Sequence, residues 1–482
     1  MINRRSFLSR SMVSAASFGV GNALSLGRRS RFRLNTAEAA ALPTPYPVLV
    51  ILLRGGLDPA LHLVATPNGR YGNVVIQNRL SGTTGIKETA AKIRYAVPVV
   101  TPPSRADFEP HLNDVALLRS FVTGSSGQHA YIAKPWIGDF SSAAKASKLS
   151  WTSELAAQFR ARGSFVLKPC AVAYPQPKPD DRTAYLDLAA WANQSPDPTT
   201  LADRILTVKS YFDAQSVVNL PYPRQAPAYG LVTALDRTLP AATQPELIDR
   251  FDKTNTAAND ILNRSANSLW PLPAEVLTTF GLKESDLTSE FKLEPKIPQM
   301  LALAYQAFKN NFAHIVAFEN FGYDAYSWDS HRANLSSQTG NGNILWSNLG
   351  KFLTLMKATR SPIDKDKTLF DTTNIWIQSE MGRTVAGIQP RNAQDGNRPD
   401  GTDHWAHACA TFIGGRFRRG IAIGGLSDDW TSIPVNPATG LEAGGSLMTF
   451  DNLIATVMKA AGGDPSTYTK AAPIDALLNM SL

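Results

Sequence analysis

Two cysteines in 482 residues, Cys170 and Cys409, are too few for a disulfide-stapled scaffold or a four-thiolate zinc site. No apolar run of about 18 residues occurs after residue 50, which excludes a polytopic membrane protein. Charged residues make up only 18% of the chain against 43% hydrophobic, so a mostly disordered chain is excluded as well. Acidic residues are the scarcer sign, with 40 Asp plus Glu against 48 Lys plus Arg and a net charge of +8. That excess is local. Residues 1–39 hold seven Arg and one Glu, which leaves 41 basic against 39 acidic residues over the other 443. No basic stripe with interleaved aromatics follows, and Arg416-Phe417-Arg418-Arg419 is short and borders a strand, so no nucleic-acid partner is expected.

The arginines at the start belong to an address. Arg4-Arg5-Ser6-Phe7-Leu8 matches the twin-arginine export pattern. A weakly apolar stretch from Ser11 to Gly27 follows, and Ala37-Glu38-Ala39 has the small-x-small form of a cleavage site. Residues 1–39 are therefore expected to be a twin-arginine signal peptide, with the export machinery as a partner and a periplasmic or secreted mature protein. With four serines and three glycines, the stretch is a poor lipid anchor, so no stable transmembrane span is expected in the mature chain.

Residues 40–482 read as one α/β domain. Val48–Leu53 is a continuous apolar run bounded by Pro47 and Gly55-Gly56, the pattern of a strand buried on both faces. Val115–Val122, Ser164–Tyr174, Ala313–Glu319, Thr373–Gln378 and Ala408–Gly414 read the same way. Helical periodicity falls between them, at 153–162, 184–194, 201–214, 297–311 and 345–360. Alternation of the two predicts a mostly parallel central sheet sandwiched by helices. The stretch from about 175 to 300 is rich in Pro and Asp and lacks a core strand, so it reads as a mainly helical insertion. Cys170 and Cys409 both fall in predicted strands, where they form either a pair or two buried thiols.

Sites in parallel sheets form at the carboxyl ends of strands, and the chemistry-bearing residues cluster near those ends. Arg54-Gly55-Gly56-Leu57-Asp58 places Asp58 after a sharp turn, as a cation ligand or a turn cap. Ser125-Ser126-Gly127-Gln128-His129 offers hydroxyls and an imidazole, for catalysis or for capping. Asp329-Ser330-His331 is a plausible metal pair. Glu380 and Arg383 follow the strand 373–378, and Asp403, His404 and His407 precede the strand at 408. Carboxylates and imidazoles gathered this way offer the N/O ligands of zinc, manganese or calcium. His111 and His314 read as structural.

These motifs in this order resemble the bacterial family known as domain of unknown function 1501. The resemblance runs over most of residues 47–465. It is carried by Leu53–Asp58, Gln128-His129, Asp329–His331, Ser379–Thr384, Gly401–His404, Gly414-Gly415 and a late helix at 450–461. That family is similar to the alkaline phosphatase and sulfatase superfamily. The resemblance implies a divalent metal, with Asp58, Asp329, His331 and His404 in ligand positions. In the hydrolase reading Asp329, His331 and His404 hold it, Asp58 and Glu380 hold a second cation or position a water, and Asp403 is a further ligand, with His129 and His407 as other candidates. It implies Ser125 or Ser126 near a nucleophile turn; in a hydrolase of this kind Arg54 or Arg383 would neutralise the developing oxyanion. The implied activity is metal-dependent hydrolysis of a phosphate or sulfate ester. The chain departs from the superfamily where Glu380-Met381 stands in place of an Asp-His pair; a thioether is a poor ligand for hard cations. The alternative is a non-catalytic envelope protein, binding a ligand or assembling with a partner on a degenerate hydrolase fold.

Overall fold

A computed structural model describes residues 43–58, 62, 83–88, 94–98, 107–124, 134–138, 151–161, 170–172, 272–283, 297–311, 314–320, 322–323, 326–331, 334–384, 403–427 and 430–481. The expected signal peptide, nearly all of the expected insertion, and the predicted helices at 184–194 and 201–214 lie outside them.

The strands are β1 (Val48–Leu53), β2 (Thr83–Glu88), β3 (Arg94–Pro98), β4 (Val115–Val122), β5 (Cys170–Val172), β6 (Ile315–Asn320), β7 (Gly322–Tyr323), β8 (Tyr326–Ser327), β9 (Asn374–Gln378), β10 (Gly382–Arg383), β11 (His404–Trp405), β12 (His407–Ile413) and β13 (Ile421–Ile423). The helices are α1 (Lys134–Ile137), α2 (Trp151–Ala161), α3 (Ala274–Phe280), α4 (Ile297–Lys309), α5 (Asn334–Ala358), α6 (Leu369–Thr372) and α7 (Phe450–Ala460). Seven strands form one sheet in the order β13-β4-β12-β9-β1-β6-β5.

β1 explains the layering. Its side chains alternate between the two faces, so Leu49, Ile51 and Leu53 enter one core while Val48, Val50 and Leu52 enter the other. The first core is closed by α4 and α5, through Met300, Leu301, Phe308, Leu349, Phe352 and Met356. The second is closed by α2 and α7, through Trp151, Leu155, Phe159, Leu453, Ile454 and Val457. Both faces being covered accounts for the uninterrupted apolar run. The expected mostly parallel sheet between helices is what the chain forms.

Three details differ from the sequence reading. β12 runs antiparallel to both β4 and β9; an apolar run marks burial on two faces, and it says nothing of direction. α5 begins at Asn334 rather than 345, because its first turns bury polar side chains instead of an apolar stripe. The two cysteines do not pair. β5 and β12 are four strand spacings apart, about 19 Å, far beyond disulfide reach. Cys409 is a buried free thiol whose pKa burial pushes up to about 12.

Parallel pairing of β1 with β6 and β9 brings their carboxyl ends to one edge of the sheet. Arg54, Gly55 and Gly56 leave β1 there, the β7–β8 hairpin follows β6, and Ser379 and Glu380 follow β9. The small β10–β11 pair lies over the same end, with Arg383 opposite His404.

Candidate metal site at the strand ends

Asp329 follows the β7–β8 hairpin and is fixed from behind. The Trp328 ring is fully buried, and its Nε1 donates to Asn320 Oδ1 at 2.7 Å. The Asp329 N–H donates to Ser327 Oγ at 3.0 Å. Gly55 makes room: at φ +121° it passes so close that a Cβ there would lie 2.4 Å from the Asp329 nitrogen. Only glycine combines that backbone angle with that approach.

Two imidazoles converge on the carboxylate so placed. His331 Nε2 and His404 Nε2 each lie 3.1 Å from Asp329 Oδ1, and their rings are 4.8 Å apart. Asp329, His331 and His404 thus offer one ligand atom each, all within 4.8 Å of one another. Donors about 2.1 Å from a tetrahedral ion sit about 3.4 Å apart, so this N, N, O set needs little movement to hold one. Asp403 stands behind the imidazoles. Its Oδ1 accepts the His404 N–H at 2.8 Å and lies 3.6 Å from His331 Nδ1. That 3.6 Å separation is an ion-pair contact, one small shift short of the hydrogen bond by which a carboxylate aims a ligating histidine. The neighbouring Asp329 carboxylate raises the His331 pKa above its ordinary value, against burial and the Arg383 charge.

Arg383 is enclosed. Its side chain has 0% exposure and its Nη2 lies 2.5 Å from Asp329 Oδ1. The same nitrogen donates to the Trp328 carbonyl at 3.2 Å and to the Gly55 carbonyl. Met381, at the departure from the superfamily pattern, is buried.

The other expected site residues are placed differently. Asp58 is fully buried, accepts from Asn334 Nδ2 at 2.6 Å, and stands outside the three-residue cluster. Glu380 is also fully buried; its Oε1 accepts the Gly55 N–H at 2.7 Å and its Oε2 accepts from Ser379 Oγ at 3.1 Å. Arg54 pairs with Glu319 at 3.6 Å. His407 turns to the side, where its Nδ1 accepts the Ser432 N–H at 2.9 Å, and burial lowers its pKa. Ser125, Ser126 and His129 lie outside the described residues; ahead of them the Thr123 N–H donates to the Ala406 carbonyl at 2.7 Å.

A polar layer beneath the site escaped the sequence reading. Gln338 Nε2 donates to the carbonyls of Gly56 and Trp328 and to Ser330 Oγ, at 2.8–3.0 Å. Its Oε1 accepts the Asp58 N–H at 3.1 Å. Buried His62 joins through the same oxygen at 3.2 Å. Trp346 Nε1 donates to His62 Nδ1 at 3.1 Å, which leaves the proton on Nε2. Asn334 and Gln338 are one helical turn apart on α5, and that i, i+4 polar spacing was the available signal.

A family model described as "Protein of unknown function (DUF1501)" matches residues 293–473. The matched DUF1501 span contains Asp329, His331, Glu380, Arg383, Asp403 and His404, while the Leu53–Asp58 element precedes it. No curated protein matches the chain by sequence. Solved structures similar to it include a protein in the alkaline phosphatase superfamily from Vibrio parahaemolyticus, at 9% identity and TM-score 0.35, over 89% of this chain and 71% of that one. The lipoteichoic acid synthase LtaP from Listeria monocytogenes aligns at 8% identity and TM-score 0.32, over 89% and 74%. Ps i-CgsB aligns at 8% identity and TM-score 0.37, over 89% and 75%.

Proposed function

We propose that this DUF1501 chain is an exported, metal-dependent hydrolase of phosphate or sulfate esters. The observation that carries the reading is the convergence of His331 and His404 on one oxygen of Asp329 at the carboxyl ends of parallel strands. Asp329, His331 and His404 would hold one divalent ion of the zinc or manganese kind, with Asp403 aiming His331. An ion bound there supplies a Lewis acid against an ester oxygen. The chain's own contribution is to bring the two Nε2 atoms together at Asp329 Oδ1 and to hold that carboxylate in place. A serine on the turn after β4 is the nucleophile in this reading, Ser125 or Ser126. Export rests on Arg4-Arg5 and the residues behind them; among the described residues no helix is long and apolar enough to cross a membrane.

The test is turnover of chromogenic phosphate and sulfate esters by metal-loaded wild type and by His404→Ala. The reading expects hydrolysis of one ester class and its loss in the variant with the melting temperature retained. An inactive wild type that binds zinc supports the second reading, a ligand-binding envelope protein, which the internal hydrogen bonding of Asp58 and Glu380 favours.

A further inference from the structure

The buried Arg383 guanidinium against Asp329 is the most informative feature outside the three ligands, and it bears on whether a second cation can enter. Two-cation use of this strand end would need Asp58 and Glu380 as ligands beside Asp329. Asp58 accepts from Asn334. Glu380 holds the Gly55 N–H and accepts from Ser379. Among the described residues only one group of three His, Cys, Asp or Glu side chains converges.

The space against Asp329 is taken by Arg383. Its guanidinium is fully buried, touches Asp329 Oδ1 through Nη2, and is wedged against the β1 turn so tightly that a Cβ at Gly56 would lie 2.7 Å from Nε. Among the described residues its buried Nε and Nη1 meet no hydrogen-bond partner. A guanidinium kept for structure alone would have its donors satisfied, since burying a cation with idle N–H groups is costly. Here the geometry spends that cost to place one fixed positive charge on the ligating carboxylate. Fixed charge at that point balances Asp329 and repels a second dication.

We propose that the site takes a single divalent ion and that the Arg383 guanidinium stands in place of a second. The inference rests on reading Asp329, His331 and His404 as an ion site, and its test separates the two. The chelator-stripped full chain is titrated with Zn2+ and with Mn2+, and bound metal is counted by native mass spectrometry. One ion per chain at saturation is expected, with none in His404→Ala. Two ions, one of them lost in Glu380→Gln or Asp58→Asn, would overturn the inference and leave the triad as an ion site. No ion in the wild type would overturn both. Arg383→Gln, which removes the charge and keeps a donor, should bind the first ion about tenfold more tightly or admit a second; weaker binding by a variant of unchanged melting temperature would contradict the stand-in role. Should that variant fail to fold, the wild-type count decides alone.

Discussion

Arg383 and His404 face each other across the β10–β11 pair and meet at the same oxygen, Oδ1 of Asp329, at 2.5 and 3.1 Å. Backbone pairing sets that meeting, so the centre depends on strands that carry few of its ligands.

Asp403 should matter through His331. Replacement by Asn removes the carboxylate from Nδ1 while keeping the volume. Zinc affinity is expected to fall about 10–100-fold, with a small change in melting temperature. Unchanged affinity would show that His331 is aimed by other contacts.

Gly55→Ala should damage fold and site together. The added methyl meets the Asp329 backbone at 2.4 Å, at a φ of +121°. A cost of at least about 1–3 kcal/mol is expected, read as a lower denaturant midpoint, and zinc binding should weaken because Asp329 must shift. A variant with wild-type stability and affinity would refute the close approach.

Protons should compete with the ion at His331. Its pKa is raised by Asp329, so the protonated ring persists above its ordinary range. Ion binding should therefore begin to fail as pH drops while still above about 6.5. An isothermal titration series across pH 5–8 reads this directly; affinity flat down to pH 5.5 would count against it.

His314 predicts an acid instability away from the site. It is 2% exposed, packs edge-on against Phe159 at 5.0 Å, and burial takes its pKa from 6.5 to about 3. With the folded pKa depressed, the unfolded chain binds the proton more readily. Stability tied to this group is complete above pH 6.5 and is lost as pH falls toward 3, at about 1.4 kcal/mol per pH unit. Urea midpoints should decline less steeply with acid in His314→Leu than in the wild type; parallel declines would exclude this source.

Much of the frame was legible because it follows from local pattern. The apolar runs at Val48, Val115 and Asn374 became core strands, and the Asp329, His331 and His404 motifs came together although 75 residues separate the first from the last. What stayed hidden was set by long-range contact. Asp58 reads from its place after β1 as a ligand or a turn cap, and its hydrogen bond from Asn334, 276 residues away, could not be read from the sequence. The first turns of α5 were unreadable because Asn334 and Gln338 bury amides where an apolar stripe would mark a helix. Arg383 carried no sequence sign that its charge would be enclosed.

The central claim is that Asp329, His331 and His404 bind a divalent ion together. Anomalous diffraction from a crystal soaked in zinc tests it most directly. The account predicts one peak about 2.0–2.2 Å from a carboxylate oxygen of Asp329 and from Nε2 of both histidines. Contradiction would be full soaking with no peak there, and with both imidazoles still hydrogen-bonded to Asp329 Oδ1.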